Sequence, residues 1–163
     1  MFAAKRFLVP VDFSDVSRAA VSAALQLAAA HQGEVWLLHS AEGMDQELKK
    51  RLVSAPDESV ISDTISFDEH ALRQAADDEK RRFAEAGRYL PDVPIHTHVT
   101  GGGWLEVALE LVDQHQIDVV VSGTHGKSGL VARLLGTITE KLVAKAPCSV
   151  FVVKAAGYPY LRD

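Results

Sequence analysis

Residues 122 to 129 read SGTHGKSG, and the triplet Gly126-Lys127-Ser128 is how a phosphate-binding P-loop ends. In such a loop a glycine five residues before the last glycine lets the backbone wrap the β-phosphate, and Val121 stands at that position. The P-loop pattern therefore fails at its most restrictive point. Read outward from Gly126, a different pattern emerges: Gly123 lies three residues before it, and Gly136-Thr137 follows after nine intervening residues, giving G-x-x-G-x9-G-T. Gly123 and Gly126 let backbone N–H groups approach an anion with no Cβ in the way. Gly136-Thr137 adds a helix N-terminus and a hydroxyl. Phosphate binding is the chemistry that this spacing suits.

Each of these residues also has a plainer reading. Thr137-x-x-Glu140 is a capping box that needs no ligand. Lys127 can reach for phosphate or stay in solvent, and His125 is a loop histidine with no assigned role as a base. Asp12 can bind a ligand or cap the first helix, although Ser14 and Asp15 are already available for capping. His96 and His98 lie two apart, on one face of a strand, and lack the third ligand that a zinc site needs. Cys148 suits a small buried apolar position.

The elements that must position these groups alternate along the chain. Phe7 to Val11, Glu34 to His39, Pro94 to Val99, Ile117 to Ser122 and Ser149 to Val153 have the apolar, β-branched character of strands. Between them, helices are predicted over Val16 to His31, closed by Gly33, and over Asp68 to Leu90, Trp104 to His115 and Thr137 to Ala144. Strands joined by helical crossovers form a mostly parallel, doubly wound α/β sheet covered on both faces. Ligands bind such sheets beyond the carboxyl ends of the strands, where strand order reverses, here at strands one and four. Asp12 and Gly123, far apart in the chain, would meet there. The polar stretch 41–67 does not fit the compact pattern and is expected to be a mobile insertion.

With 163 residues, 47% of them apolar, the chain suits one domain. This is placed at 1–155, with a tail at 156–163. Seventeen basic residues against 22 acidic ones give a net charge of −5, which argues against broad contact with nucleic acid. Cys148 is the single cysteine, so no internal disulfide can form and a cytoplasmic setting is expected. No run approaches the roughly 20 apolar residues of a membrane span.

The opening LVPVDFS, the strand WLLHS and above all VVVSGTHGKSGLVARLLGTITEKLVAKAPCSVFVVK, from Val119 to Lys154, resemble the universal stress protein family and its ATP-binding branch. The resemblance implies a five-stranded parallel sheet of order 3-2-1-4-5, Rossmann-like and akin to the adenine nucleotide alpha hydrolases. It implies ATP as ligand, with Mg2+ accompanying the nucleotide. Pro10, Val11 and Asp12 would lie around adenine and ribose, with Asp12 accepting a hydrogen bond from a ribose hydroxyl. Ser122, Gly123 and Gly126 would line the phosphates beside Lys127, and Gly136, Thr137 and Ile138 would close the other side. Ser40 departs from the family's usual valine and would weaken apolar contact with adenine, and Gly101-Gly102-Gly103 replaces a charged turn.

The resemblance also implies a homodimer through Ser149 to Val153, a short apolar strand at a sheet edge with no lysine or proline inside it. The expected role is a nucleotide-responsive stress regulator or interaction module, open to a protein partner. A slow ATPase or phosphotransferase is one alternative, and a dimeric adaptor that binds no nucleotide is the other.

Overall fold

The computed structural model describes residues 4–40, 58–101, 103–124 and 137–154. They form β1 (Arg6–Pro10), α1 (Asp15–His31), β2 (Glu34–Ser40), α2 (Glu58–Glu85), β3 (Ile95–Thr100), α3 (Trp104–Gln114), β4 (Val119–Gly123), α4 (Thr137–Lys145) and β5 (Ser149–Val153). The sheet is parallel throughout, in the order β3-β2-β1-β4-β5.

Side-chain alternation along each strand divides the core into two layers. Phe7, Val9, Val35, Leu37, Val119 and Val121 face the helices α1 and α2. Leu8, Trp36, Leu38 and Val120 face the other way, against Leu105, Ala108, Leu111 and Val112 of α3 and Leu142 of α4. α1 lies close to the sheet because its buried stripe is largely Ala20, Ala24 and Ala28. Burying its two larger members, Val21 and Leu25, contributes about 1.5 to 3 kcal/mol each. Cys148 packs partly buried beside the second layer, and burial pushes its thiol above the ordinary value.

Two expectations are corrected. Residues 58–67, expected to belong to a mobile insertion, are part of α2, which begins at Glu58 and ends at Glu85 rather than Leu90. The buried stripe of α2 runs through Asp68, Leu72, Ala76, Glu79 and Phe83, so two carboxylates stand at core-facing positions and interrupt the apolar signal. Glu79 is neutralised by Arg82 at 2.8 Å. After α2, Gly87 at φ +69 turns the chain away before Leu90. Gly33, in turn, is not the left-handed stop of α1. Gln32 takes that conformation, at φ 54. A Cβ on Gly33 would overlap the Lys5 carbonyl, which accepts the N–H of Glu34 at 2.7 Å, so glycine is needed there for close approach. The remaining element boundaries agree to within two residues. Residues 41–57 and the tail at 156–163 lie outside the described residues.

Candidate functional site

The ladder between β1 and β4 is much shorter than those beside it. β1 pairs with β2 through Pro10↔Leu38, and β4 pairs with β5 through Gly123↔Val153. Between β1 and β4 the register has only Phe7↔Val119 and Leu8↔Val120. Hydrogen bonds in a parallel strand explain the stop. Odd-numbered residues of β1 address β2, since Lys5 O accepts from Glu34 N and Val11 N donates to Leu38 O. Even-numbered ones address β4, since Arg6 O accepts from Asp118 N at 2.9 Å. Pro10 is even-numbered and has no N–H, so the next bond toward β4 cannot form. Beyond Leu8 and Val120 the two backbones are not laddered to each other, at the point where doubly wound sheets take ligands.

The β1 side of this opening is a tight turn. Asp12 Oδ1 accepts from Ser14 N at 3.0 Å, and Ser14 caps α1 by accepting from Ser17 N at 3.2 Å. Between them Phe13 sits at φ 60, a left-handed conformation costing a non-glycine residue about 1 to 2 kcal/mol. Packing offsets that strain: the Phe13 ring lies 4.7 Å from that of His39, and His39 Nδ1 lies 2.7 Å from Val11 O. A carbonyl oxygen only accepts, so Nδ1 carries the proton. Of the residues expected around adenine and ribose, Pro10 ends β1, Val11 is buried and bonded on both sides, and Asp12 shapes the turn. Ser40 ends β2 opposite Thr100.

The β4 side is held by α4. Thr139 Oγ1 donates to Gly123 O at 2.6 Å and lies 3.0 Å from Ser122 Oγ. With the threonine proton committed to the carbonyl, the Ser122 hydroxyl has two acceptors in reach, Thr139 Oγ1 at 3.0 Å and the same Gly123 carbonyl at 3.3 Å. Gly123 has a packing role as well, since a Cβ there would collide with Val16 of α1. Thr124 follows, buried, with Oγ1 lacking a hydrogen-bond partner among the described residues. Thr137 opens α4, and Ile138 is 38% exposed. Gly126, Lys127 and Gly136 lie outside the described residues.

Sequence reasoning passed over His39, Thr139 and Val16. A histidine closing an apolar strand and a second threonine two residues after Thr137 were the available signals. His96, weighed as a metal ligand on its spacing, has Nε2 2.9 Å from Glu34 Oε2 and its ring stacked 4.4 Å from that of Trp36. Among the described residues no group of three or more metal-ligating side chains comes together, and no helix is long and apolar enough to cross a membrane.

Comparison with known proteins agrees with this architecture. A universal stress protein of Methanocaldococcus jannaschii is 30% identical over 154 residues, covering 92% of this chain and 82% of the relative. The UspA structure from Lactobacillus plantarum is 26% identical with a TM-score of 0.66, covering 92% of this chain and 97% of its own. A universal stress protein solved in complex with cAMP is 25% identical with a TM-score of 0.60, covering 94% and 99%. The family model described as Universal stress protein family matches residues 3–154, and with the strand order and the opening between β1 and β4 it establishes that the chain belongs to the universal stress protein family.

Proposed function

We propose that this protein binds an adenine nucleotide, ATP with Mg2+, where β1 and β4 part, and acts in the cytoplasm as a nucleotide-responsive regulator or interaction module. The observation that carries the reading is the two-rung ladder between β1 and β4, which leaves the ends of the two strands unladdered to each other. The glycine pattern from Gly123 to Thr137 lies in the chain that leaves β4 there. Thr124 Oγ1, buried and without a hydrogen-bond partner among the described residues, fits a site with room for another acceptor or donor. A family member of similar fold is solved with cAMP, an adenine nucleotide.

In this reading Pro10, Val11, Asp12 and Ser40 surround the base and sugar, while Gly123, Gly126, Lys127, Gly136 and Thr137 hold the phosphates, with Ser122 and Ile138 beside them. Mg2+ would neutralise phosphate charge, with its ligands drawn from phosphate and water as much as from Asp12. Efficient phosphoryl transfer needs positioned cations and a residue that orients the nucleophile. Lys127 and Asp12 make a binding set more than a catalytic one, which favours a regulator over an ATPase.

The same reading includes a homodimer through β5. That strand pairs with β4 alone among the described strands, and its Phe151 is 48% exposed.

Calorimetric titration of nucleotide-stripped protein with ATP, ADP, AMP and cAMP, with and without magnesium, tests the proposal, alongside light scattering at micromolar concentration. Saturable binding without heat of turnover is the expected result, with a dimeric mass. Absence of binding by any nucleotide overturns the site, and a monomeric mass removes the dimer.

A further inference from the structure

Phe13 requires an account beyond the local turn. A phenylalanine at φ 60 is held there by what surrounds it. Most of its restraints are local: Asp12 Oδ1 to Ser14 N, and Ser14 Oγ to Ser17 N, both within the turn and the first turn of α1. Val11 N bonds to Leu38 O on one side of the strained residue. His39 alone among the described side chains both bonds the Val11 carbonyl and touches the Phe13 ring. It therefore ties the turn to the end of β2, next to Ser40.

We infer that His39 is a positioning residue for nucleotide binding: its Nδ1–H on Val11 O and its ring against Phe13 hold the β1 turn in the shape that presents Asp12. The inference rests on the proposed nucleotide function and assigns to His39 no contact with the ligand. Two substitutions separate its two contacts. His39→Phe keeps a ring beside Phe13 and removes the donor from Val11 O. His39→Asn supplies an N–H at nearly the same distance from the backbone as Nδ1 and removes the ring.

The test has two readouts in each protein: amide hydrogen exchange at Ser14 without ligand, and affinity for ATP with magnesium. His39→Phe is expected to exchange faster at Ser14 and to bind about tenfold more weakly, the size of one net hydrogen bond. His39→Asn should recover affinity to within about threefold of the native protein. Amides deep in α1, such as Ala24, serve as the control and should keep their protection in both variants. Unchanged Ser14 exchange in His39→Phe overturns the inference. So does faster exchange with unchanged affinity, or, in either variant, weaker binding with native exchange at Ser14. If the native protein binds no nucleotide, the functional reading falls, and Ser14 exchange still decides whether His39 holds the turn.

Discussion

The two sides of the opening between β1 and β4 are built on different plans. The β1 side stores strain in one residue, Phe13, and counters it with a histidine from the neighbouring strand. The β4 side has no strained residue among those described, and relies on the hydroxyls of Thr139 and Ser122 gathered at the Gly123 carbonyl. One side is braced across the sheet by β2, the other by the helix that follows it. Each side is thereby fixed to its own half of the sheet, and the central ladder can stay short without leaving either side loose.

Gly123→Ala breaks the β4 side hardest. The added Cβ would meet Val16 Cγ1 and lie 3.2 Å from the Val16 carbonyl oxygen. Destabilisation by about 3 kcal/mol is expected from overpacking. Adding Val16→Ala should recover part of it, because the methyl obstacle leaves while the backbone oxygen stays. Urea unfolding of the single and double variants measures both numbers.

Thr139→Val has a smaller expected effect. It keeps the shape and removes the donor to Gly123 O, with a loss of about 2 kcal/mol. Ser122→Ala should cost less, since Thr139 still reaches the carbonyl without it. If the two variants are equally destabilised in urea, Thr139 is not the principal donor to the carbonyl.

Pro10→Ala sharpens the comparison with the least change in stability. It restores a donor facing β4, and one net hydrogen bond is worth about 1 kcal/mol. The lost rigidity of the unfolded chain takes back about 0.4 to 1 kcal/mol, so stability should hardly move. The informative readout is local: an exchange-protected amide at position 10, together with weaker nucleotide binding as the ladder extends into the opening. An unprotected amide there would show that something besides the missing N–H ends the ladder.

Most of the fold was legible because its signals are local. The apolar runs from Phe7 to Val153 marked every strand, and Ser149 to Val153 came out with its observed ends. α2 was misread at its start because Ser59, Ser62, Asp63, Thr64 and Ser66 are weak helix formers, and so polar a run reads as loop in a sequence. Gly33 was misread because the obstacle it avoids, the Lys5 carbonyl, is far away in the chain. The site shows the same division. Pro10, Asp12 and Gly123 stand out by residue type and place at strand ends. His39, Thr139 and Val16 matter through what they touch across the sheet, and no spacing rule carries that. The lesson from Pro10 lies between these cases: its effect could be derived only once the register showed which neighbour its missing N–H faces.

That missing N–H also bears on how the chain is made. β2 and β3 precede β4 in sequence, so on the ribosome the free edge of β1 must wait for Val119 to Gly123. At ordinary synthesis rates the wait is on the order of 5 to 20 seconds. An open strand edge in a nascent chain is a template for wrong partners. Pro10 interrupts that edge near its end, so a wrong partner meets the same missing donor that the native one does.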